Sequence, residues 1–260
     1  MLDRVFSHCP GIGPRTEARL AEMGVCTWDD FISSGKLPLG REKRDRAEDI
    51  ISRSIEARRK GDIGFFVKHF PGREHWRVLR EYLPRATFFD IETTGLSWYE
   101  SHATVITAYH RGDVRAFIHG RDLDSFLDLA SEAELLVSFN GSCFDLPFIE
   151  RTFSIPSLGR PHIDLRWVAY HAGYRGGLKA IEAELGVRRP PEIEGIDGFE
   201  AVNLYYRWQA GDDGALRMLV RYCSADAVSL YIVAHALAGL ERKPSLRDQA
   251  ALFEKAMISV

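Results

Sequence analysis

The segment FFDIETTGLS, residues 88–97, places two carboxylates at the end of an apolar run. Successive side chains of a β-strand alternate between its two faces, so Asp90 and Glu92 point the same way. Two like charges about 4 Å apart repel each other by roughly 4 kcal/mol at an effective dielectric constant near 20. The pair therefore indicates a cation-binding site, and an ordinary strand-end charge pair is the alternative.

Two further carboxylates lie on predicted helices, one at the start of a helix and one on a helix face. Asp145, in SFNGSCFDLPFIER, follows a short apolar strand and begins a helix, where it could instead be a simple N-cap. Asp226, in RYCSADAVSLY, follows Tyr222 by four residues, so both lie on one helix face; a surface pair is the alternative. If these elements meet at one end of a sheet, four carboxylates converge, and Mg²⁺ is the ion that such an oxygen cluster favours.

The elements that must position these acids form an α/β pattern. Residues 103–110 and 113–119 read as a hairpin with a tight turn at Arg111-Gly112, and 134–139 reads as a buried parallel strand. Ligands of such layered sheets bind at the carboxyl ends of strands, where Asp90 and Glu92 lie. The remaining predicted elements are a short strand at 162–165 and helices at 122–130, 144–153, 167–170, 178–185, 200–209 and 213–240.

The N-terminal 62 residues read as short helices, with no strand pattern. Pro14 is expected at the first position of a helix ending near Gly24, and Thr27 is expected to cap the next one. A longer helix is predicted over 41–60, ended by Gly61. The stretch GDIGFFVKHFPG, residues 61–72, reads as a linker into a helix at 74–82.

Composition sets broad limits on the class of protein. The 260 residues carry a net charge of −3, and the four cysteines are scattered, which indicates neither a zinc site nor a disulfide framework. No apolar run reaches the roughly 20 residues of a membrane span, and no signal peptide is evident, so we expect a cytoplasmic protein with no membrane partner. Locally basic stretches at 41–61 and 73–85 could face phosphates; for residues 41–60 a solvated helix face with i,i+4 ion pairs is the favoured interpretation.

Three motifs in order resemble the DEDD superfamily of exonucleases, which have an RNase H-like fold. DIETTGL is similar to the first motif, FNGSCFDLPFI to the second, and YCSAD to the third in its tyrosine form. The YprB-like RNase H-like domain is similar over about residues 70–240, including EHWRVLREY, HIDLRW and GLKAIEAELG. The resemblance implies a mixed five-stranded sheet flanked by helices at 86–240, preceded by a lead-in at 63–85 and followed by a helical tail at 241–260.

The resemblance also implies a mechanism and a set of site residues. In similar enzymes two Mg²⁺ or Mn²⁺ ions, about 3.5–4 Å apart, act on a phosphodiester. By analogy Asp90 bridges both ions, Glu92 and Asp226 bind one, and Asp145 holds the other. Tyr222 would position the attacking water, because a phenol with a pKa of about 10 is a poor base at neutral pH. The implied substrate contacts near a terminal nucleotide are Thr93, Thr94, Leu96, Asn140 and Phe144.

Several neighbouring residues have more than one interpretation. Leu96 could wedge against a base or belong to the core, and Trp98 and Tyr99 could stack on bases or simply pack. Lys179 could contact a phosphate, although a solvated lysine is the simpler expectation. Asp164 and His162 are expected to be structural.

The segment PGIGPRTEARLAEMGV resembles a helix-hairpin-helix motif, which gives the chain a small N-terminal all-α module at 1–62. In similar modules backbone N–H groups of the hairpin, here at Gly11 and Gly13, bind a phosphate; Pro14 removes one such donor. Packing against protein is the alternative role for this segment.

The leading functional hypothesis is a 3′-to-5′ exonuclease acting on the end of a single strand of DNA or RNA. A non-catalytic nucleic-acid-binding or scaffold protein is the first alternative, although all four acids and the tyrosine are present. A structure-specific endonuclease is the second.

Overall fold

A single mixed β-sheet lies at the centre of the computed structural model, which describes residues 2–97, 99–240 and 244–257. The strand order is β3-β2-β1-β4-β5, with β1, β2 and β3 antiparallel and with β4 and β5 parallel to β1. The expected mixed five-stranded sheet is confirmed. The strands are β1 (Ala86–Thr93), β2 (Ala103–His110), β3 (Asp113–Ile118), β4 (Leu135–Ser138) and β5 (His162–Asp164).

Helices cover both faces of this sheet and build the N-terminal segment. Their bounds are α1 (Pro14–Glu22), α2 (Trp28–Ser33), α3 (Arg41–Lys60), α4 (Ile63–His69), α5 (His75–Tyr82), α6 (Ser125–Glu132), α7 (Asp145–Thr152), α8 (Leu165–His171), α9 (Leu178–Leu185), α10 (Gly198–Gln209), α11 (Asp213–Leu237) and α12 (Leu246–Ala256). The predicted helices at 41–60 and 178–185 have the observed bounds. The expected Thr27 cap is also confirmed, because its hydroxyl accepts a hydrogen bond from Asp30 N at 3.2 Å.

The alternation of β1 decides which face of the sheet carries the acids. Phe89 and Ile91 pack into a core cluster with α6 and α7, whereas Phe88 packs into the larger cluster that includes α11. Asp90 and Glu92 share the parity of Phe88 and therefore face α11. The long helix α11 crosses β1 and β2 on that side.

The stretch predicted as a linker at 61–72 contains a helix, α4, so that expectation was wrong. Asp62 caps it by accepting a hydrogen bond from Phe65 N at 3.0 Å. Phe66 is fully buried between Trp28 and Tyr82, with ring centroids 6.3 and 6.1 Å away. Packing against residues distant in sequence stabilises this short helix, and a local pattern does not reveal such packing.

Helix α3 forms ion pairs along one helix, as the favoured interpretation of residues 41–60 predicted. The pairs at i,i+4 spacing are Arg44–Glu48, Arg46–Glu42, Arg53–Asp49 and Lys60–Glu56. In the second basic stretch, Arg77 and Arg85 pair with Glu74 and Glu134. Contact of these arginines with phosphates stays a prediction.

The N-terminal helices share a core with the sheet. Trp28 of α2 and Ile51 of α3 belong to the same buried cluster as Phe88 and Val228. The domain boundaries predicted from the sequence stay predictions. In the C-terminal tail, α12 is helical as expected, whereas residues 241–243 and 258–260 lie outside the described part. No helix within the described residues has the length and apolar character required to cross a bilayer.

Gly61 ends α3 in the left-handed region, with φ of +66°. We expect Gly61→Ala to lower the free energy of unfolding by about 1 kcal/mol, because a Cβ is unfavourable in that conformation and would also lie 2.8 Å from Arg85 Nη1, which must move. Gly35→Ala is the matched control, since Gly35 lies outside that region and has no atom within 4 Å of an added Cβ. Urea denaturation of both variants is the measurement, and equal effects would contradict the role assigned to Gly61.

Candidate active site

Asp90 and Glu92 project from the carboxyl end of β1 toward α11. The thiol of Cys223 on α11 lies 3.6 Å from Asp90 Oδ2 and 3.5 Å from the Asp90 carbonyl oxygen. Thr107, the β2 partner of Asp90, donates a hydrogen bond to this sulfur at 3.3 Å. One potential ligand atom from each of Asp90, Glu92 and Cys223 lies within 4.8 Å of the others. The structure thus brings the first predicted pair into one potential metal-binding group, with a thiol that the sequence analysis did not include.

Tyr222 and Asp226 lie one turn apart on the same buried face of α11. Their exposed fractions are 6% and 7%, which a surface pair would not show. The alternative of an ordinary surface pair is therefore wrong. Because α11 packs across β1, this face meets the side of the sheet that carries Asp90 and Glu92.

Asp145 is the first residue of α7 and is 3% exposed. Phe144 occupies the N-cap position, and no side chain caps this helix. The alternative of Asp145 as a simple N-cap is wrong. The carboxylate instead contributes charge to the buried acidic cluster described below.

A loop held by Asp164 delivers Asp145 to this position. The Asp164 carboxylate accepts hydrogen bonds from Asn140 N at 2.7 Å and from Ser142 N at 3.2 Å, and it also caps α8. Its expected structural role is confirmed. At Gly141 an added Cβ would lie 1.8 Å from Ser138 Oγ and 2.9 Å from its Cβ, so the tight packing of this loop requires glycine.

The four carboxylates act on one another electrostatically. Burial raises the pKa values of Asp90 and Glu92 well above their ordinary range, and the charges of Asp226 and Asp145 raise both further. Burial, followed by the charges of Asp164 and Asp226, raises the pKa of Asp145 to about 8. Asp226 also has a raised pKa, mainly from burial, but an adjacent arginine opposes that shift. Four acids distant in sequence therefore share one low-dielectric environment.

The arginine beside Asp226 is Arg189, which the sequence analysis missed. Its guanidinium donates to Asp226 Oδ1 and, at 2.6 and 2.8 Å, to both carboxylate oxygens of Glu182. All three side chains are at most 9% exposed. Nothing in the segment GVRRPPEIE distinguishes Arg189 from its neighbour Arg188, which is exposed. Long-range packing alone selects Arg189 as the cation of this site.

Tyr222 keeps its proton in this environment. Burial raises the pKa of the phenol, and the charges of Asp226 and Glu92 raise it further. Lys179 lies beside it, with Nζ 5.0 Å from the ring centroid and donating to the carbonyl oxygen of Ile196. The lysine is exposed but oriented toward the site, where it opposes the raised pKa of Glu92. Lys179 is thus exposed to solvent, as expected, and it also contacts the carbonyl oxygen of Ile196 and the ring of Tyr222.

An apolar cleft of about 570 Å³ adjoins Glu92. Leu96, Phe144 and Phe199 line it, together with Ile91 and Val202. Leu96 is 87% exposed, so the alternative of a core residue is wrong. Phe199, which is 75% exposed at the start of α10, was missed because a lone aromatic residue in GIDGFEAV carries no signal of its position. We call this site the apolar cleft.

The hydroxyl groups of two threonines form hydrogen bonds with the backbone at the rim of the apolar cleft. The Thr93 hydroxyl donates to the Gly95 carbonyl oxygen at 2.7 Å, and the Thr94 hydroxyl accepts from His102 N at 3.1 Å. Tyr99 lies beyond the cleft with 67% of its surface exposed. Trp98 lies outside the described residues. Thr93 and Thr94 therefore form hydrogen bonds with the backbone on either side of Leu96, and their direct contact with substrate stays a prediction.

The remaining predicted residues lie in the loop after β4, on β5 and in the N-terminal hairpin. Asn140 is left-handed, with φ of +63°, and its side-chain oxygen accepts from Arg166. His162 bonds Ser138 Oγ at 2.8 Å, as expected of a structural histidine. In the N-terminal hairpin, Gly11 has φ of +85° and Gly13 is the N-cap of α1. Their proposed phosphate contact stays a prediction.

The donor set at the end of β1 fits a hard divalent cation. Asp90 and Glu92 offer carboxylate oxygens, which Mg²⁺ and Mn²⁺ prefer, and the charges of Asp145 and Asp226 act on both, so this repulsion favours cation binding. Within the described residues, no ion pair neutralises Asp90, Glu92 or Asp145. The site can therefore bind a divalent cation beside an anionic ligand.

Comparison with protein families matches residues 87–238, more than half of the chain, to the RNase_H_2 family of the RNase_H superfamily. Among solved structures, the family B DNA polymerase from the hyperthermophilic archaeon Pyrobaculum calidifontis is similar, with a TM-score of 0.49 and 20% identity over 67% of this chain. The chain spans only 27% of that polymerase. A structure described as the apo form of a nuclease is similar with a TM-score of 0.44 and 19% identity, over 66% of this chain and 82% of the nuclease. Comparison with curated proteins finds no match.

Added Mg²⁺ is expected to stabilise the folded chain most at neutral and higher pH. Unfolded carboxyl groups have pKa values of about 4, whereas that of folded Asp145 is about 8. The metal-free folded state thus holds extra protons in this window, and its stability falls as the pH rises from about 4 to about 8. Mg²⁺ binds the deprotonated form, so at 100 times its Kd it adds about 2.7 kcal/mol. Melting curves across this pH range test this, with NaCl at equal ionic strength as the control; identical curves with either salt would contradict it.

Arg189→Met is expected to lower the free energy of unfolding by about 3–5 kcal/mol, because it leaves Glu182 and Asp226 buried without their cation. The matched control is Arg188→Met at the exposed neighbouring position, which should change stability by less than about 0.5 kcal/mol. Chemical denaturation without metal measures both values. A small effect at Arg189 would mean that this arginine does not neutralise the two acids.

Proposed function

The chain belongs to the RNase H superfamily, and from this membership and its buried acidic cluster we propose that it is a metal-dependent nuclease. The observation that carries the proposal is the potential metal-binding group at the end of β1, where Asp90 and Glu92 offer ligand atoms within 4.8 Å of each other and of Cys223, and where the charges of Asp145 and Asp226 raise the pKa values of both acids. Buried carboxylates without cations are unfavourable for folding, so their presence supports a role that depends on charge.

Asp90, Glu92, Asp145 and Asp226 would hold the metal ions, two by resemblance to similar enzymes. When bound, Mg²⁺ or Mn²⁺ supplies acidity to water and neutralises charge on the phosphate. The carboxylates would determine where that cationic charge lies, with Asp90 and Glu92 on β1, Asp226 on the α11 helix that packs against β1, and Asp145 at the start of α7.

Tyr222 would orient the reacting groups. Its raised pKa keeps the phenol protonated at neutral pH, so it can donate a hydrogen bond but cannot act as a base. Lys179, beside its ring, adds a cation at the edge of the site that a phosphate oxygen could contact. Arg189 remains a positioning residue because it contacts Asp226 and Glu182.

We propose that the apolar cleft receives the terminal base of a single strand. Leu96, Phe144 and Phe199 present apolar and aromatic surface next to Glu92, and such surface stacks on a base of any sequence. This arrangement favours exonuclease action over endonuclease action. If an internal base occupied the cleft, the strand would have to continue past it, whereas a terminal base needs no such exit. The 3′-to-5′ direction rests on the resemblance of the three motifs.

Asp90→Asn is expected to reduce phosphodiester cleavage by at least about 100-fold, because it removes a charge shared by the metal-binding group. Binding of a labelled strand should stay measurable, since Asp90 makes no proposed contact with a base. Asp113→Asn, at an exposed position of β3, is the matched control and should cleave like the wild type. Retained turnover in Asp90→Asn with Mg²⁺ or Mn²⁺ would refute the site assignment.

Linear and circular single strands separate the exonuclease from the endonuclease alternative. We expect purified protein with Mn²⁺ to release mononucleotides from a strand labelled at its 3′ end and to leave a circular strand intact. DNA and RNA versions of each substrate identify the sugar preference. Cleavage of the circle would favour the endonuclease, and no cleavage of any substrate would favour the non-catalytic alternative.

A further inference from the structure

A second cleft, of about 670 Å³, lies beyond the carboxyl ends of β4 and β5. It is bounded by α8, by Phe139 and Asn140 after β4, and by the turn at Gly176-Gly177 before α9. Because β4 is the parallel neighbour of β1, the cleft lies at the same edge of the sheet as Asp90 and Glu92. We call it the aromatic cleft.

Two half-exposed rings on one face of α8 define the aromatic cleft. Trp167 and Tyr170, three residues apart, are 45% and 48% exposed, with centroids 6.0 Å apart and planes at 72°. The opposite face of the helix buries Val168 and Ala169 in the core. The fold thus anchors α8 through its small apolar residues and leaves its largest rings facing the cleft.

Two arginines accompany these rings. The Arg175 guanidinium carbon lies 4.0 Å from the Tyr170 centroid, and that of Arg166 lies 5.6 Å from the Trp167 centroid. Arg175 is fixed by two hydrogen bonds of 2.8 Å, to the carbonyl oxygens of Tyr170 and Tyr174. No carboxylate is among the described residues that line the cleft. The surface is therefore aromatic and cationic, which suits a ligand that combines rings with negative charge.

The cleft is coupled to the acidic site through one loop. Arg166 donates to the side-chain oxygen of Asn140, whose backbone N–H bonds Asp164. That same loop continues through Gly141 to Asp145. A ligand that lies along Trp167 and Arg166 thus reaches the residues that place Asp145.

We propose that the aromatic cleft binds the single-stranded nucleic acid that leads to the four acids. Bases stack on Trp167 and Tyr170, and Arg166 and Arg175 contact the phosphates. That the bound strand leads toward the acids rests on the proposed nuclease function. That the cleft binds a strand at all is inferred from its rings and charges alone. A peptide would use the rings but would leave the unopposed pair of arginines without a counterion, so a polyanion fits better.

Fluorescence anisotropy of a labelled strand of about 12 nucleotides, in EDTA so that no cleavage occurs, tests this directly. We expect Trp167→Ala and Tyr170→Ala each to raise the Kd about 10-fold, for oligo-dT or oligo-U. Tyr206→Ala is the matched control, because this ring on α10 is 56% exposed and lines neither cleft. Melting temperatures confirm that each variant is folded.

The arginines have a separate readout in salt dependence. Arg175→Gln should reduce the slope of log Kd against log salt by about 0.7, the value for one phosphate contact of a single strand. Arg46→Gln, at an exposed pair on α3, should leave the slope unchanged.

An unchanged Kd in the double variant Trp167→Ala/Tyr170→Ala, an equal loss in Tyr206→Ala, or no binding by the wild type would overturn this proposal. These results are distinct from failure of the nuclease proposal. A protein that binds through the cleft but never cleaves would overturn only the proposed function. A protein that cleaves without using the cleft would overturn only the present inference.

Discussion

The repulsion among four carboxylates, of which Glu92, Asp145 and Asp226 are buried and Asp90 is partly buried, is the constraint on which this structure depends. Asp90 and Glu92 lie side by side, because residues two apart on a strand point to the same face, here the face that α11 covers. Asp145 and Asp226 add charge to the same place and raise the pKa values of both. Arg189 forms ion pairs with Asp226 and Glu182, and within the described residues no ion pair neutralises Asp90, Glu92 or Asp145. The remaining negative charge makes this edge of the sheet a place for divalent ions.

The rest of the fold positions these carboxylates and places an apolar cleft and an aromatic, cationic cleft near them. The loop after β4 is fixed by Asp164 and depends on Gly141, so it can place Asp145 accurately. On one side of the acids lies the apolar cleft, and farther along the same sheet edge lies the aromatic cleft with its arginines. A path from a cationic aromatic surface, past the acids, to an apolar end suits a strand that is shortened from its terminus.

Local patterns predicted the elements that are determined locally. The alternation in FFDIET, the spacing of Tyr222 and Asp226, and the glycine that ends α3 were all correct because each depends on residues close in sequence. Three features escaped prediction for the opposite reason. Arg189 was indistinguishable from Arg188, Phe199 was a lone aromatic residue, and α4 is stabilised by rings from distant helices. Their positions follow from tertiary packing, which no short window of sequence contains.

Anomalous diffraction at the manganese edge, from crystals grown with Mn²⁺, shows whether these acids bind divalent ions. We expect anomalous density at the carboxyl end of β1, contacted by Asp90 and by at least two of Glu92, Asp145 and Asp226. Ordered carboxylates with no anomalous density among them, in crystals saturated with Mn²⁺, would contradict it. In that case the acids would be a structural feature, and the nuclease proposal would have no chemical basis.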